Sequence, residues 1–245
     1  MDKAVVVEKL VKKYGDFTAL KGISFEVLEG EVFGLVGPNG AGKTTTLRIL
    51  ATLLVPTAGR VTVFGYDVVR DAHKVRRLIS YLPEEAGTYK NLTGYEYLRI
   101  VARIYFGKSR EAEEAVELGI KIAGIGDKIF EKMKTYSKGM QRRIQLARAL
   151  MVKPRLAILD EPTSGLDVAQ AIEIRNAIKR FAKELGTTVI MSSHNMLEVQ
   201  EVCDRVAIIV SGEIKEQGGV RELLSKYGVD NLEKVFLRVI GYERS

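Results

Sequence analysis

Residues Gly37 to Thr44 read GPNGAGKT, which sets three glycines, a lysine and a hydroxyl within eight positions. Glycines let the backbone turn so tightly that successive N–H groups face one point, and an anion is what such a concavity takes. The set Gly37, Pro38, Asn39, Gly40, Ala41, Gly42, Lys43, Thr44 and Thr45 therefore reads as a cradle for the phosphates of a nucleotide. Lys43 can reach the β- and γ-phosphates, and the Thr44 hydroxyl is placed for Mg²⁺. A second group of chemical residues closes the segment LAILDE, Leu156 to Glu161. Asp160 at the end of a buried strand offers Mg²⁺ a carboxylate, and Glu161 beside it can polarise a water attacking the γ-phosphate. Together these residues predict binding and hydrolysis of a nucleoside triphosphate.

The elements around them have the required order. Glu31 to Val36 is a mostly apolar run of strand length, and Thr45 to Leu54 reads as a helix, so the glycine loop joins strand to helix. The helix N-terminus adds positive potential at the phosphates. Short β-branched or aromatic runs at Val5–Leu10, Ile23–Val27 and Val61–Phe64 make the first part of the chain β-rich. From Thr93 to Ala123 the pattern becomes helical, with Tyr97, Ile100, Val101 and Ile104 as one apolar face and Ser109 as a cap for the next helix. Ser137 caps a further helix whose apolar face is Ile144, Ala147, Leu150 and Met151. After the strand Leu156–Leu159 come a helix over Val168–Leu185, a strand from Thr188, a hairpin turning at Ser211-Gly212, and a tail read from Val220 as a short helix with a polar end.

Composition narrows the classes. At 245 residues the chain suits one large domain or a domain with a subdomain. Its single cysteine, Cys203, forms no internal disulfide, fits a reducing compartment and reads as a half-buried, unreactive thiol. With two histidines besides, a structural zinc site is not expected. The N-terminal apolar run is too short for a signal peptide, and no segment is long enough to span a bilayer, so a cytoplasmic location is expected and any membrane role must come through a partner. The net charge of +7 is spread among Asp and Glu, with no basic block interleaved with aromatics, so no dedicated nucleic-acid surface is expected.

The segment Tyr136 to Pro154, YSKGMQRRIQLARALMVKP, makes the pattern specific. It resembles the signature segment of the ATP-binding cassette (ABC) transporter ATPases, whose usual form is LSGGQ before an arginine-rich helix. Tyr136, Lys138 and Met140 replace Leu, Gly and Gln, while Ser137 and Gly139 are retained. The resemblance implies that Ser137 and Gly139 donate to a phosphate, that Asp167 in SGLD lies in the D-loop, and that His194 in SSHN is the switch histidine meeting the γ-phosphate. It implies stacking of Tyr14 on adenine, and a Q-loop role toward Mg²⁺ for Glu84, where the family usually has glutamine; Glu85 is the rival one residue along.

The expected fold is therefore α/β, a P-loop NTPase parallel-sheet core with an antiparallel β subdomain and an inserted α-helical subdomain. The expected domains are an ABC ATPase over residues 1–218, with the helical insertion at about 85–153, and a short C-terminal extension at 219–245. The resemblance implies ATP and Mg²⁺ as cofactors, head-to-tail pairing with a second ABC ATPase subunit, homodimeric in the ATP state, and an integral membrane permease that holds the chain at the cytoplasmic face of the membrane. The YSKGM signature and the LPEE and LTGYEYL segments resemble exporter-type, multidrug-type cassettes. An importer ATPase, or a non-transport ABC ATPase of a nucleic-acid or ribosomal complex, is the alternative.

Overall fold

The computed structural model describes residues 2–242. Strands β1 (Lys3–Tyr14) and β2 (Phe17–Leu28) form a hairpin; β3 (Val32–Val36) then leads into α1 (Lys43–Leu50). Next come β4 (Ala58–Val63), β5 (Tyr66–Asp67), α2 (Ala72–Arg76) and β6 (Ile79–Leu82). Three helices follow, α3 (Gly94–Phe106), α4 (Arg110–Ala123) and α5 (Lys138–Leu150). The chain then alternates through β7 (Leu156–Leu159), α6 (Val168–Leu185), β8 (Thr188–Ser193), α7 (Met196–Val202), β9 (Arg205–Val210) and β10 (Glu213–Gly219), and α8 (Val220–Tyr227) and α9 (Leu232–Val239) come last.

Two sheets result: a four-stranded antiparallel one in the order β2-β1-β4-β5, and a six-stranded one in the order β10-β9-β3-β8-β7-β6. In the larger sheet only β10 is antiparallel to its neighbour. Successive side chains of a strand point to opposite faces, and each central strand here feeds two cores. Phe33, Leu35, Ile158, Ile190 and Ile209 pack with α1 and the antiparallel sheet. Val36, Leu159, Met191, Val206 and Ile208 pack with the helices of the opposite face. A parallel sheet covered on both sides is apolar on both sides, which is why β3, β7 and β8 are buried at every position.

Local chemistry explains the helix starts. Thr93 Oγ1 accepts from Glu96 N at 3.0 Å while Glu96 Oε2 accepts from Thr93 N at 2.8 Å, a reciprocal capping box. Ser109 caps α4 as expected, its Oγ accepting from Ala112 N at 3.4 Å.

Three local expectations are corrected. The buried face of α3 is Gly94, Tyr97, Leu98 and Ala102, and Ile100 and Ile104 are exposed. Small residues let α3 approach closely: a Cβ on Gly94 would lie 2.7 Å from the Tyr136 hydroxyl and 2.9 Å from Ile129 Cδ1. Cys203 is buried outright, and desolvation pushes its thiol pKa well above the ordinary value. The tail carries a second helix, α9, where a polar end was expected; residues 243–245 of the expected extension lie outside the described residues. Leu232, Val235, Phe236 and Val239 recur at helical spacing, and Asn231 Oδ1 caps them by accepting from Lys234 N at 3.0 Å. Leu232 and Val235 are fully buried, and Leu232 N donates to Gln200 Oε1 of α7 at 2.8 Å.

This docking yields a stability prediction. Leu232→Ala is expected to cost about 2–5 kcal/mol, the range for a buried leucine, whereas the more exposed Leu237→Ala should stay within about 0.5 kcal/mol. Urea melts of both variants check it, and equal midpoints would mean that α9 is not held by this contact.

Candidate active site

Three strand ends converge on one edge of the larger sheet. The loop after β3 carries the phosphate cradle, Asp160 and Glu161 follow β7, and Ser192 and Ser193 close β8 with His194 just beyond. Gly37 follows β3 with its N–H donating to Ser193 O at 3.3 Å. No side chain is possible there, because a Cβ would lie 2.0 Å from Ile209 O. Gly40 and Gly42 take φ of +78° and +109°, the left-handed region open to glycine. Gly42 stands at the N-cap of α1 with no side-chain capping bond, so the first amides of that helix remain available to a ligand.

Asn39, Gly40, Gly42, Lys43, Thr44 and Thr45 line a cleft of about 380 Å³, which Tyr14, Phe17, Glu84 and Glu161 also line. Gly37 and Pro38 do not line it; their carbonyls accept from Lys43 Nζ at 2.7 and 3.1 Å and hold the ammonium in place. Ala41 is buried behind the loop in the core. Glu84 is exposed at the cleft, its Oε1 accepting from Ser164 Oγ at 3.2 Å, whereas Glu85 does not line it.

Asp160 is wholly buried and tied on three sides. Its Oδ1 accepts from Ser192 Oγ at 2.6 Å and from Thr44 Oγ1 at 3.1 Å, and its Oδ2 from the Tyr81 hydroxyl at 3.3 Å. Burial and the Asp160 charge push the Tyr81 pKa up to about 12. Glu161 has φ +45°, a strained value for a residue without glycine's freedom. Its Oε2 lies 2.9 Å from His194 Nδ1, within hydrogen-bond reach. Its Oε1 is buried 3.3 Å from Lys43 Nζ and makes no hydrogen bond. A buried carboxylate oxygen that faces Lys43 of the phosphate cradle without a hydrogen bond of its own is suited to a water or its proton.

Among the described residues no group of three or more His, Cys, Asp and Glu could hold a metal alone. Mg²⁺ prefers one or two carboxylates plus substrate phosphates and water; Thr44 and Glu84 line the cleft, and Asp160 lies behind it against the Thr44 hydroxyl.

The remaining expected residues lie elsewhere. Ser137 caps α5, Oγ accepting from Met140 N at 3.2 Å, and Gly139 is buried where a Cβ would meet Gln170 Cδ at 2.6 Å. Both line a separate cleft with Lys128, Arg143 and Gln170. Asp167 caps α6, Oδ1 accepting from Gln170 N at 2.9 Å, and lines neither cleft.

Sequence reasoning missed two groups. Phe17 pairs across the β1–β2 turn with Tyr14 and stands exposed at the same cleft; an aromatic three positions after Tyr14 at a hairpin turn was the available signal. Arg142 is 6% exposed, and its guanidinium meets the carbonyls of Pro83, Glu84, Asp160, Glu161 and Pro162. Burial lowers its pKa to about 10 against the pull of Asp160, Glu84 and Glu161, so it stays cationic at neutral pH.

A glycine-loop strand–helix unit, with a strand two places along the same sheet that leads into Asp-Glu, defines a P-loop ATPase. The sequence profile of the ABC transporter family matches residues 20–164, and the chain belongs to that family as an ATP-binding subunit and ATPase. It is 39% identical to the linearmycin resistance ATP-binding protein LnrL of Bacillus subtilis over 92% of this chain and 72% of that one. It is likewise 39% identical to the daunorubicin/doxorubicin resistance ATP-binding protein DrrA of Streptomyces peucetius, over 92% of this chain and 68% of that one. In structure it is similar to the ATP-binding cassette MJ0796, solved as a dimer in a post-hydrolysis state with ADP and Pi, with a TM-score of 0.78 at 26% identity over 89% of this chain and 99% of that one.

Lys43→Ala is expected to weaken ATP binding by about 10- to 100-fold, the equivalent of ~1.5–3 kcal/mol for a charge-assisted contact. Tyr14→Ala and Phe17→Ala should each lose roughly 0.5–1.5 kcal/mol if their rings meet the base. Titration with a fluorescent ATP analogue reads all three; normal affinity in Tyr14→Ala would return that ring to a packing role.

Proposed function

We propose that the chain powers an exporter-type ABC transporter, working as a head-to-tail pair at the cytoplasmic face of the membrane on an integral permease. The observation that carries the pairing is the separation of two clefts, one holding the phosphate cradle and the other Ser137 and Gly139. A helix start capped by Ser137 presents unpaired amides and a positive dipole end, which favour an anion. A second copy's γ-phosphate is an anion of the right kind, and only a partner can bring it there. The drug-resistance names of the relatives at 39% identity support export. Among the described residues no helix is long and apolar enough to cross a membrane; in this reading the integral permease supplies the translocation path.

In this reading Lys43 and the loop amides neutralise the phosphates, and Thr44, Asp160 and Glu84 would hold Mg²⁺. The ion supplies charge neutralisation at the transferred phosphoryl group. Glu161 orients the attacking water and takes its proton at Oε1, the oxygen with no other hydrogen bond. His194 fixes Oε2 and reaches the γ-phosphate with its other nitrogen. Tyr14 and Phe17 cover the adenine, and Asp167 sits at the partner interface through its cap on α6. Hydrolysis removes the phosphate that bridges the two copies, and the pair opens.

Glu161→Gln is expected to bind Mg-ATP normally, to hydrolyse it at least about 100-fold more slowly, and to elute as a dimer only in the presence of the nucleotide. A variant that stays monomeric at saturating Mg-ATP contradicts the paired arrangement, and one with normal turnover contradicts the base. Glu84→Gln should keep turnover within about threefold, because an acceptor is retained, while Glu84→Ala loses stimulation by the permease; loss in Glu85→Ala instead would shift the loop assignment by one residue.

A further inference from the structure

Arg142 is the buried cation at which the parts of the candidate site meet. Its Nε donates to Pro162 O at 2.7 Å, Nη2 to Asp160 O at 3.0 Å and to Glu161 O at 2.8 Å, and Nη1 to Pro83 O at 3.0 Å and to Glu84 O at 3.2 Å. Gln145, one turn along α5, takes a further contact from Nη1 and itself donates to Ala86 O. A guanidinium has five N–H donors in a planar fork and no acceptor. Here the fork is spent on carbonyls of two loops, with no carboxylate in direct contact.

The consequence for Glu161 is specific. Its φ of +45° is costly for a non-glycine residue, and it persists only if the surroundings over-determine it. Ser192 Oγ accepts its N–H at 2.9 Å, and Arg142 takes its carbonyl. The backbone on both sides of the strained residue is thus pinned, once by β8 and once by α5. The same guanidinium fixes the carbonyl of Glu84, so that the two carboxylates lining the cleft are referred to one group. Arg142 lies five residues from Ser137, which is about 7 Å along the helix axis.

We infer that Arg142 is a positioning residue for ATP hydrolysis, holding the strained Glu161 and the Glu84 loop in register with the helix that begins at Ser137. A displacement of the Ser137 end of α5 then reaches both carboxylates through one rigid fork. Arg142 is buried behind the cleft and does not line it, so its loss should act on turnover and spare affinity. The inference rests on the reading of Glu161 as the base.

The test compares Arg142→Gln, Arg142→Lys and Glu161→Gln in steady-state ATPase assays, with ATP affinity and thermal melts measured on the same preparations. For Arg142→Gln the expectation is a kcat lowered about 10- to 100-fold, the scale of a small misplacement of reacting groups, with ATP affinity within about twofold of wild type. Arg142→Lys keeps the charge without the fork and should recover part of the lost kcat. Wild-type kcat in folded Arg142→Gln overturns the inference, as does a loss that only tracks the folded fraction or the lost affinity. Should Arg142→Gln fail to fold, Arg142→Lys decides: reduced kcat at unchanged affinity supports positioning, and normal kcat overturns it. Normal turnover in Glu161→Gln would instead remove the base itself, a separate failure.

Discussion

The parallel pairing of β3, β8 and β7 is the constraint from which the site follows. Parallel neighbours run in the same direction, so their C-terminal ends arrive together, and the loops leaving them share one rim. Val36 stands opposite Ser193 and Leu159 opposite Met191. That register brings the glycine loop, the Asp-Glu pair and the serine-histidine turn side by side, though they are far apart along the chain. A slip of one residue in either pairing would turn each strand's side chains to the opposite face. The apolar side chains of these strands are all buried in one core or the other, so the register is held by apolar packing on both faces.

At the rim the hydroxyls of Ser192, Thr44 and Tyr81 all point to Asp160. Three donors around one buried carboxylate hold it in one orientation behind the cleft. Glu161, one residue further, has its own polar atoms differently spent, with one oxygen against His194 and the other facing Lys43 without a hydrogen bond. Two adjacent carboxylates thus meet different surroundings, one enclosed by hydroxyls and one set between a histidine and a lysine.

Much of this was legible in the sequence because the chemistry is local. Gly37 to Thr45, Asp160 and Glu161 are contiguous runs whose residue types state their purpose, and the strands around them are short apolar stretches between turns. What was hidden depends on distant neighbours. Arg142 sits among other basic residues on α5, and nothing nearby in sequence tells that the carbonyls of Pro83 and Pro162 surround it. On α3 two apolar stripes compete, and the choice of Leu98 and Ala102 over Ile100 and Ile104 is made by the close approach of Tyr136 and Ile129. The helix α9 is a different case, since its spacing was visible and only its docking partner Gln200 was not. The roles of Ser137, Gly139 and Asp167 came from resemblance, because within one chain they act as helix caps and spacers away from the cradle.

The burial of Cys203 has a practical side. Thiol reagents attack the thiolate, and this thiol is both enclosed and held protonated by desolvation. It is also the chain's one cysteine. The natural protein therefore presents a chemically silent background to maleimides and spin labels under native conditions. A cysteine introduced at an exposed position on either cleft would carry the whole signal, and distances between two copies could be read without first removing a native residue from the core.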